Sequence, residues 1–516
     1  MEREQQVGRG VRWKARLAGA VVVSIAVVGV ALQPGCVPVR PLRVSVPAEQ
    51  LDPACQERGE EAEPGPIPAR CKSLAVEKAA DYSLNVVEFD DQGRLYSPGN
   101  PSAGEAWKQE QAFFDGLREA VSAQHATGAS VVVFVHGWKH SADYDDPHLV
   151  QFRQILQQLA GVEARSCGRA VKGLYVAWRG KAGRAGDALE NLTFWSRKFA
   201  AEQVATGQIH EVFGTLRAIQ DTTPRRGQEG LIRRLDCRSR LKTTYVGHSF
   251  GGLVVTLATA PALIRELAEA HERNLAPART TAVASAPAPD ELAIVINPAV
   301  EAARFAALYD MAQRERSATA RAPRFVAITS YDDKATRIGF PIGRYLNSMT
   351  KAYPEGDGAS RAAARQTLGH DPNYLTHTLT SLEDTPDAPV SGAQQCEPIA
   401  QEAPDGAAPA VQQAILQREP TASQRELPRC LPVRTQAGSA HQVRLLLRPY
   451  DATRQGRDSP ANTEVWNIAT QAPVVKDHND FTNQRLLDFL GLLYLESLTD
   501  ASVADKDLNR GGGARK

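Results

Sequence analysis

Gly247-His248-Ser249-Phe250-Gly251 is a G-x-S-x-G placed directly after the apolar run Leu241–Val246 and before the apolar segment Leu253–Ala258. The order reads strand, sharp turn, serine, helix. A serine hydroxyl is a weak nucleophile until it is exposed beside a base, and a sharp turn lifts it clear of a sheet. The flanking glycines leave room for that turn and for a helix packed close against the strand. An idle serine in a glycine-rich turn would need none of this context.

Serine chemistry also requires a base, an acid that orients the base, and N–H donors for the oxyanion. After such an elbow the acid comes next in the chain and the histidine last. The apolar run Phe325–Ser330 is followed by Tyr331-Asp332-Asp333-Lys334-Ala335-Thr336. The spacing Ser330-x-x-Asp333-x-x-Thr336 favours Asp333 as the acid, with Asp332 as the alternative. His478 follows the last apolar strand pattern and precedes the amphipathic Leu486–Leu493, so it is the expected base. His370, His377 and His441 also satisfy chain order but lack that strand-before, helix-after setting. The oxyanion donors are expected at the N–H of Phe250, at a helix N-terminus, and at the N–H of Trp138, after the strand that ends Val135-His136-Gly137. His140, Asp143, Trp178, Phe194 and Trp195 are candidates for the pocket wall; loop polarity and aromatic core explain them equally well.

These residues need a scaffold of alternating strands and helices. A hairpin is expected from Leu84–Phe89 and Arg94–Tyr96, and a helix from Ala103 to Gln124. Ser130–Val135, Val171–Trp178, Leu241–Val246, Leu292–Ile296, Arg324–Thr329 and Glu464–Thr470 read as strands, several apolar throughout, as in a sheet buried on both faces. The pattern predicts the α/β class: a mostly parallel sheet with helices on both faces, over residues 81–500. Two long segments interrupt it. Residues 179–237 contain a helix through Leu192, Phe194, Trp195, Phe199 and Val204, read as wall or cap over the site. Residues 337–440 are rich in Pro, Ala and Gln and read as a surface insertion stapled by Cys396–Cys430.

The chain has 516 residues, with Lys+Arg 60 against Asp+Glu 59 and a formal net charge of +1. No basic stripe stands out, so nucleic acid is not an expected partner. Residues 1–35 carry a basic start followed by the apolar run Leu17–Leu32, shorter than the roughly 20 residues of a spanning helix, which reads as an export signal. Gly29-Val30-Ala31 offers a cleavage site. Alternatively, Leu32-Gln33-Pro34-Gly35-Cys36 resembles a lipoprotein signal ending in a lipid-bearing Cys36; a retained membrane anchor is the third reading. Residues 36–80 read as a Pro/Glu/Arg-rich tether and 501–516 as a disordered tail. Apart from Cys36, the cysteines are Cys55, Cys71, Cys167, Cys237, Cys396 and Cys430, with no C-x-x-C among them. Sequence proximity suggests Cys55–Cys71 and Cys396–Cys430. Cys167 and Cys237 each precede a parallel strand and should lie at one end of the sheet.

With these motifs in view, residues 82–495 resemble the α/β-hydrolase superfamily. Phe134–His140, Asp143–Asp146, Tyr175–Gly180 and Asn297-Pro298-Ala299 resemble, more narrowly, bacterial and often exported serine hydrolases of poorly defined substrate. The resemblance implies Ser249, Asp333 and His478 as a triad, a small-molecule or lipid ester as substrate, no cofactor and no metal. An acyltransferase would use the same triad, and a surface-anchored binding protein could use the same scaffold.

Overall fold

The computed structural model describes residues 41–44, 55, 70–96, 105–123, 127–181, 193–226, 235–275, 290–315, 322–348, 352–353, 356–383, 429–433, 443–451 and 463–498. The chain divides into a unit of residues 1–41 and a unit of residues 42–516, and the architecture below belongs to the second. The N-terminal signal with Cys36, the 501–516 tail, Cys396 and His441 lie outside the described residues.

One eleven-stranded sheet runs through the second unit in the order β1-β2-β4-β3-β5-β6-β7-β11-β8-β10-β9. Its strands are β1 (Val76–Lys78), β2 (Tyr82–Phe89), β3 (Ala129–Val135), β4 (Ala170–Trp178), β5 (Leu241–His248), β6 (Glu291–Ile296), β7 (Phe325–Ser330), β8 (His377–Glu383), β9 (Arg429–Val433), β10 (Val443–Pro449) and β11 (Val465–Thr470). From β2 to β8 every pairing is parallel; β1–β2, β8–β10 and β10–β9 are antiparallel. The class is therefore α/β, as the alternation predicts.

Strands β3, β5 and β7 are buried along their whole length because both faces are covered. Alternate side chains feed two separate cores. Val131, Val133 and Val135 join one core with helices α1 (Glu105–Ser122), α3 (Phe194–Thr206), α4 (Ile209–Thr222), α5 (Phe250–Leu275) and α6 (Ala302–Arg314). Val132 and Phe134 join the other with α2 (Pro147–Ala164) and α9 (Gln484–Glu496). Helix α5 is apolar enough to cross a membrane by length and composition, but it is mostly buried in the first core.

Several expectations need correction. The expected hairpin is reduced to one antiparallel bridge between Phe89 and Leu95, because β2 is drawn into the parallel ladder with β4. Of the segment read as wall or cap, the described residues 193–222 stand beside the site, with Phe194 against Phe250, rather than over it. They form two helices that lie on the sheet face, with Val204, Ile209, Val212 and Leu216 in its core. The helix breaks at Gly207, whose backbone meets Gly93 too closely to admit a Cβ, while Gln208 N–H donates to Gly93 O (2.8 Å). Residues 337–440 are not wholly surface elaboration either. Their described parts include α7 (Phe340–Ser348), α8 (Gly358–Ala363) and strands β8 and β9, which with β10 extend the sheet beyond β11. Leu379 and Leu445 are fully buried.

The tether, too, is partly built into the fold. Arg43 is buried at 1% exposure and its guanidinium donates to Ala142 O, Lys72 O and Leu74 O. Glu88 accepts from the N–H groups of Leu42 and Arg43, and β1 lies inside the segment read as unstructured. Cys55–Cys71 and Cys167–Cys237 are disulfides; the second joins the loops before β4 and β5, as their shared sheet end requires. Cys396–Cys430 falls outside the described residues. The Cys167–Cys237 bridge closes a sequence separation of 70 residues. Replacing both cysteines with alanine should cost about 2–4 kcal/mol through the freed unfolded chain. Urea unfolding of the non-reduced proteins checks this, and equal midpoints would remove the bridge from the stability account.

Candidate active site

Parallel strands end together, so the loops after β3, β5, β7 and β11 meet at one edge of the sheet. Chain connectivity makes the β3–β5 boundary special. From β3 the chain continues outward to β4, and from β5 it continues the other way to β6. Such a reversal opens a crevice beyond the carboxyl ends of the two strands. Gly137-Trp138 and Ser249 sit at its two sides.

Ser249 has φ 55°, a left-handed conformation that few non-glycine residues adopt. The strain is held by backbone bonds from both neighbours: Ser249 N–H donates to Ile296 O (3.1 Å), and Ala299 N–H donates to Ser249 O (3.0 Å). Gly251 lets α5 begin against β3, since a Cβ there would fall well inside contact distance of Val135 O. The turn places Ser249 Oγ 2.9 Å from His478 Nε2, and His478 Nδ1 lies 2.8 Å from Asp333 Oδ2.

Asp333 is fully buried and every side of its carboxylate is engaged. Oδ1 accepts from the N–H groups of Ala335 and Thr336; Oδ2 accepts from Thr336 Oγ1 (2.5 Å) and from His478. Burial alone would raise this carboxyl, but the bonds and charge of His478 and the bonds of Thr336 hold it below the ordinary carboxylate range. Asp332 is exposed and accepts from Ala472 N–H (2.9 Å), away from His478. His370 bonds Thr336 Oγ1 (3.1 Å), one step behind the acid, and His377 packs on Trp466 at the start of β8.

The loop that carries His478 is held by two residues of the sequence motifs, His248 and Asn297, whose partners the motifs do not indicate. His248 Nε2 donates to His478 O (2.6 Å), and Asn297 Nδ2 donates to Asp477 O (3.1 Å) and His478 O (3.0 Å). Asn297 Oδ1 accepts from Ser330 N–H (2.9 Å), and Ser330 Oγ donates to Val475 O (2.7 Å), so one asparagine ties β6, β7 and the histidine loop together. His248 was visible as the x of the elbow, and Asn297 as the residue after a strand. Neither position has a sequence signal for its partner, because the partner is another loop's carbonyl.

At the positions expected to supply oxyanion donors, the N–H groups of Trp138 and Phe250 have no hydrogen-bond partner among the described residues, and the two ring centroids lie 6.3 Å apart. Gly137 N–H donates to His148 Nδ1 (3.3 Å), which steadies the loop. Phe194 packs against Trp138, Phe250, Trp195 and Phe340, so Phe194 and Trp195 belong to an aromatic wall beside the serine. The other three pocket candidates serve elsewhere. Trp178 is core: its Nε1 donates to His136 O (2.9 Å) and its ring stacks on His136. Asp143 is exposed and accepts from Asp145 N–H within its own turn. His140 clamps its loop through Asp146 Oδ1 (2.8 Å), and the same oxygen caps α2 at His148 N–H.

Neither a protein-family model nor any curated protein sequence matches this chain.

Burial holds His136 down to about 4 and holds His148 and His248 well below the ordinary histidine value of 6.5. All three stay neutral in the fold while the unfolded chain takes up protons below pH 6.5. Their contribution is intact above that pH and is lost as the medium becomes more acid, at up to about 1.4 kcal/mol per pH unit for each group. Urea midpoints measured between pH 7 and pH 4 should fall steadily below pH 6.5; a flat series would contradict the buried-neutral assignment. Asn297→Ala should remove the side-chain partners of Ser330 N–H and Asp477 O, leave His478 O with only its bond from His248, and place a residue without asparagine's local bonding at φ 44°. A loss of about 1–3 kcal/mol in stability is expected by the same unfolding measurement.

Proposed function

We propose that the protein is an exported serine hydrolase of the α/β-hydrolase type that cleaves carboxylic esters through an acyl-enzyme on Ser249. The observation that carries this reading is the two-bond chain from Ser249 through His478 to Asp333, at the crevice where the sheet order reverses. His478 Nε2 takes the hydroxyl proton as Ser249 Oγ attacks the carbonyl carbon. Asp333 keeps the proton on Nδ1 and stabilises the imidazolium. The carbonyl oxygen, now negative, takes bonds from the N–H groups of Phe250 and Trp138. His478 then protonates the leaving alkoxide, the C–O bond breaks, and water reverses the sequence on the acyl-enzyme. An alcohol in place of water would make the same site an acyltransferase; product analysis separates the two. The two disulfides fit an oxidising compartment, which agrees with reading residues 1–35 as an export signal.

A fluorophosphonate probe should label the wild type and not Ser249→Ala. On a panel of p-nitrophenyl esters, Ser249→Ala and His478→Ala should each lower turnover by about a million-fold, since the triad acts as a unit. Asp333→Asn should cost about ten-thousand-fold by favouring the wrong imidazole tautomer. Probe labelling that persists in a folded Ser249→Ala protein would reject the assignment.

A further inference from the structure

The segment that follows Asp333 is amphipathic in an inverted sense. A single π-helical turn (Ala335–Gly339) runs straight into α7. Its inner side is set by Thr336, Phe340 and Arg344, all buried: Thr336 bonds the Asp333 carboxylate, Phe340 packs on Phe194, and Arg344 pairs with Glu301 (3.1 Å). Gly343 lies against the Trp195 ring. The outer side should be polar in a helix that faces only water. Instead it presents Ile338, Ile342 and Tyr345, exposed at 53%, 62% and 53%. Their spacing of four and three residues places them along one stripe. Tyr331, just before the acid, is a fourth exposed apolar side chain in the same short stretch. Isolated exposed hydrophobics need no explanation, but a stripe of them on one helix does.

Charge around the stripe indicates what covers it. Lys334, Arg337 and Arg361 are exposed, and the Arg365 guanidinium lies 4.6 Å over the Tyr345 ring. Among the described residues, the carboxylates beside this charge are exposed Asp332 and half-buried Asp357; the first is bonded to Ala472 N–H and the second caps the first turn of α8. An apolar stripe rimmed by lysine and arginine has the composition of a helix lying in a lipid headgroup layer, with basic groups at the phosphates and isoleucines among the acyl chains.

We propose that the outer face of residues 335–348 docks on an anionic phospholipid surface. The same segment holds the acid of the triad at one end and abuts the aromatic wall beside Ser249 through Phe340. Docking would therefore bring the crevice against the lipid, and the ester hydrolysed is one presented by that surface. The substrate half of this inference rests on the hydrolase reading above; the docking half does not.

Hydrogen exchange on the full-length chain carrying Ser249→Ala tests the docking without lipid turnover. The probes are vesicles of phosphatidylcholine alone and vesicles that also contain phosphatidylglycerol. Peptides covering 335–348 should exchange about threefold more slowly, or slower still, on the phosphatidylglycerol vesicles, as expected when a surface helix becomes covered. Adding Ile338→Ser and Ile342→Ser should abolish the slowing while the thermal melt stays at the parent value. Should that pair fail to fold, Lys334→Glu with Arg337→Glu should remove the preference for anionic vesicles instead. Unchanged exchange in 335–348 on anionic vesicles would overturn the proposal. So would the same slowing produced by raising protein concentration without vesicles, which would make a second copy the occupant. For the substrate half, the protein with Ser249 intact is used. Ile338→Ser/Ile342→Ser should lower hydrolysis of a long-chain ester carried in phosphatidylglycerol vesicles at least about tenfold relative to its own rate on a soluble short-chain ester. An unchanged ratio would overturn that half. Failure of the hydrolase reading would show separately, as absent probe labelling at Ser249.

Discussion

Ser249 sits at a positive φ with no slack around it. The residue is clamped by backbone bonds to the end of β6 and to the chain that follows it, while α5 starts hard against the end of β3. A strained serine persists only where the surroundings over-determine it. Here the surroundings are the three adjacent strand ends β3, β5 and β6, whose parallel pairing sets the position of the turn to within the pitch of the ladder. The rest of the site is referred to this point. Trp138 and Phe250 flank it from the β3 and α5 sides, and His478 reaches it from β11.

The histidine needs more help than the serine. It lies on a loop that enters α9, and its backbone carbonyl is held by two buried side chains, His248 and Asn297. Both come from strand ends, so the loop borrows rigidity from the sheet. Asp333 borrows it from the helical turn that it caps. The three polar members of the chain are thus each tied to a different strand end, and the hydrogen bonds between them join elements far apart in sequence. Around them the fold buries three neutral histidines. Their hydrogen bonds to backbone groups, two for His136 and one each for His148 and His248, make them struts rather than charges, and the requirement that they stay neutral couples the site's architecture to pH.

The loops also divide labour by face. Loop 136–148 is closed on itself through His140, Asp146 and His148, and it carries Trp138 to one side of Ser249. Residues 335–348 hold the acid with their inner face and leave apolar side chains on the outer one. The aromatic group Trp138, Phe194, Trp195, Phe250 and Phe340 lies between these two loops, so the wall of the crevice is shared by elements from β3, α3, α5 and α7.

The sequence by itself determined the parallel sheet, the elbow and the chain order of the three polar residues. Each depends on local pattern: a fully apolar strand reads as buried on both faces, and a strand–turn–helix around a serine reads as an elbow. It also indicated Asp333 over Asp332 and His478 over His370, because turn spacing and flanking elements are local properties. Only the tertiary structure decided what depends on partners distant in sequence. The roles of His248 and Asn297 exist only once the His478 carbonyl arrives beside them. Trp178 could be told from a pocket residue only by its bond to His136. Strands β8 and β10 bury alternate residues, His377 and Leu379 in one and Leu445 and Leu447 in the other, but that they extend the sheet beyond β11 was decided by packing. For the segment read as wall or cap, only the sheet beneath it decided that α3 and α4 pack on the sheet face with Phe194 turned to the crevice. Residues 42–44 and 70–80 looked like a tether because nothing local in them announces that Arg43 is to be buried beneath the loop at Ala142. Local pattern sets which elements form; which side chains they bring together is set by packing across the whole chain.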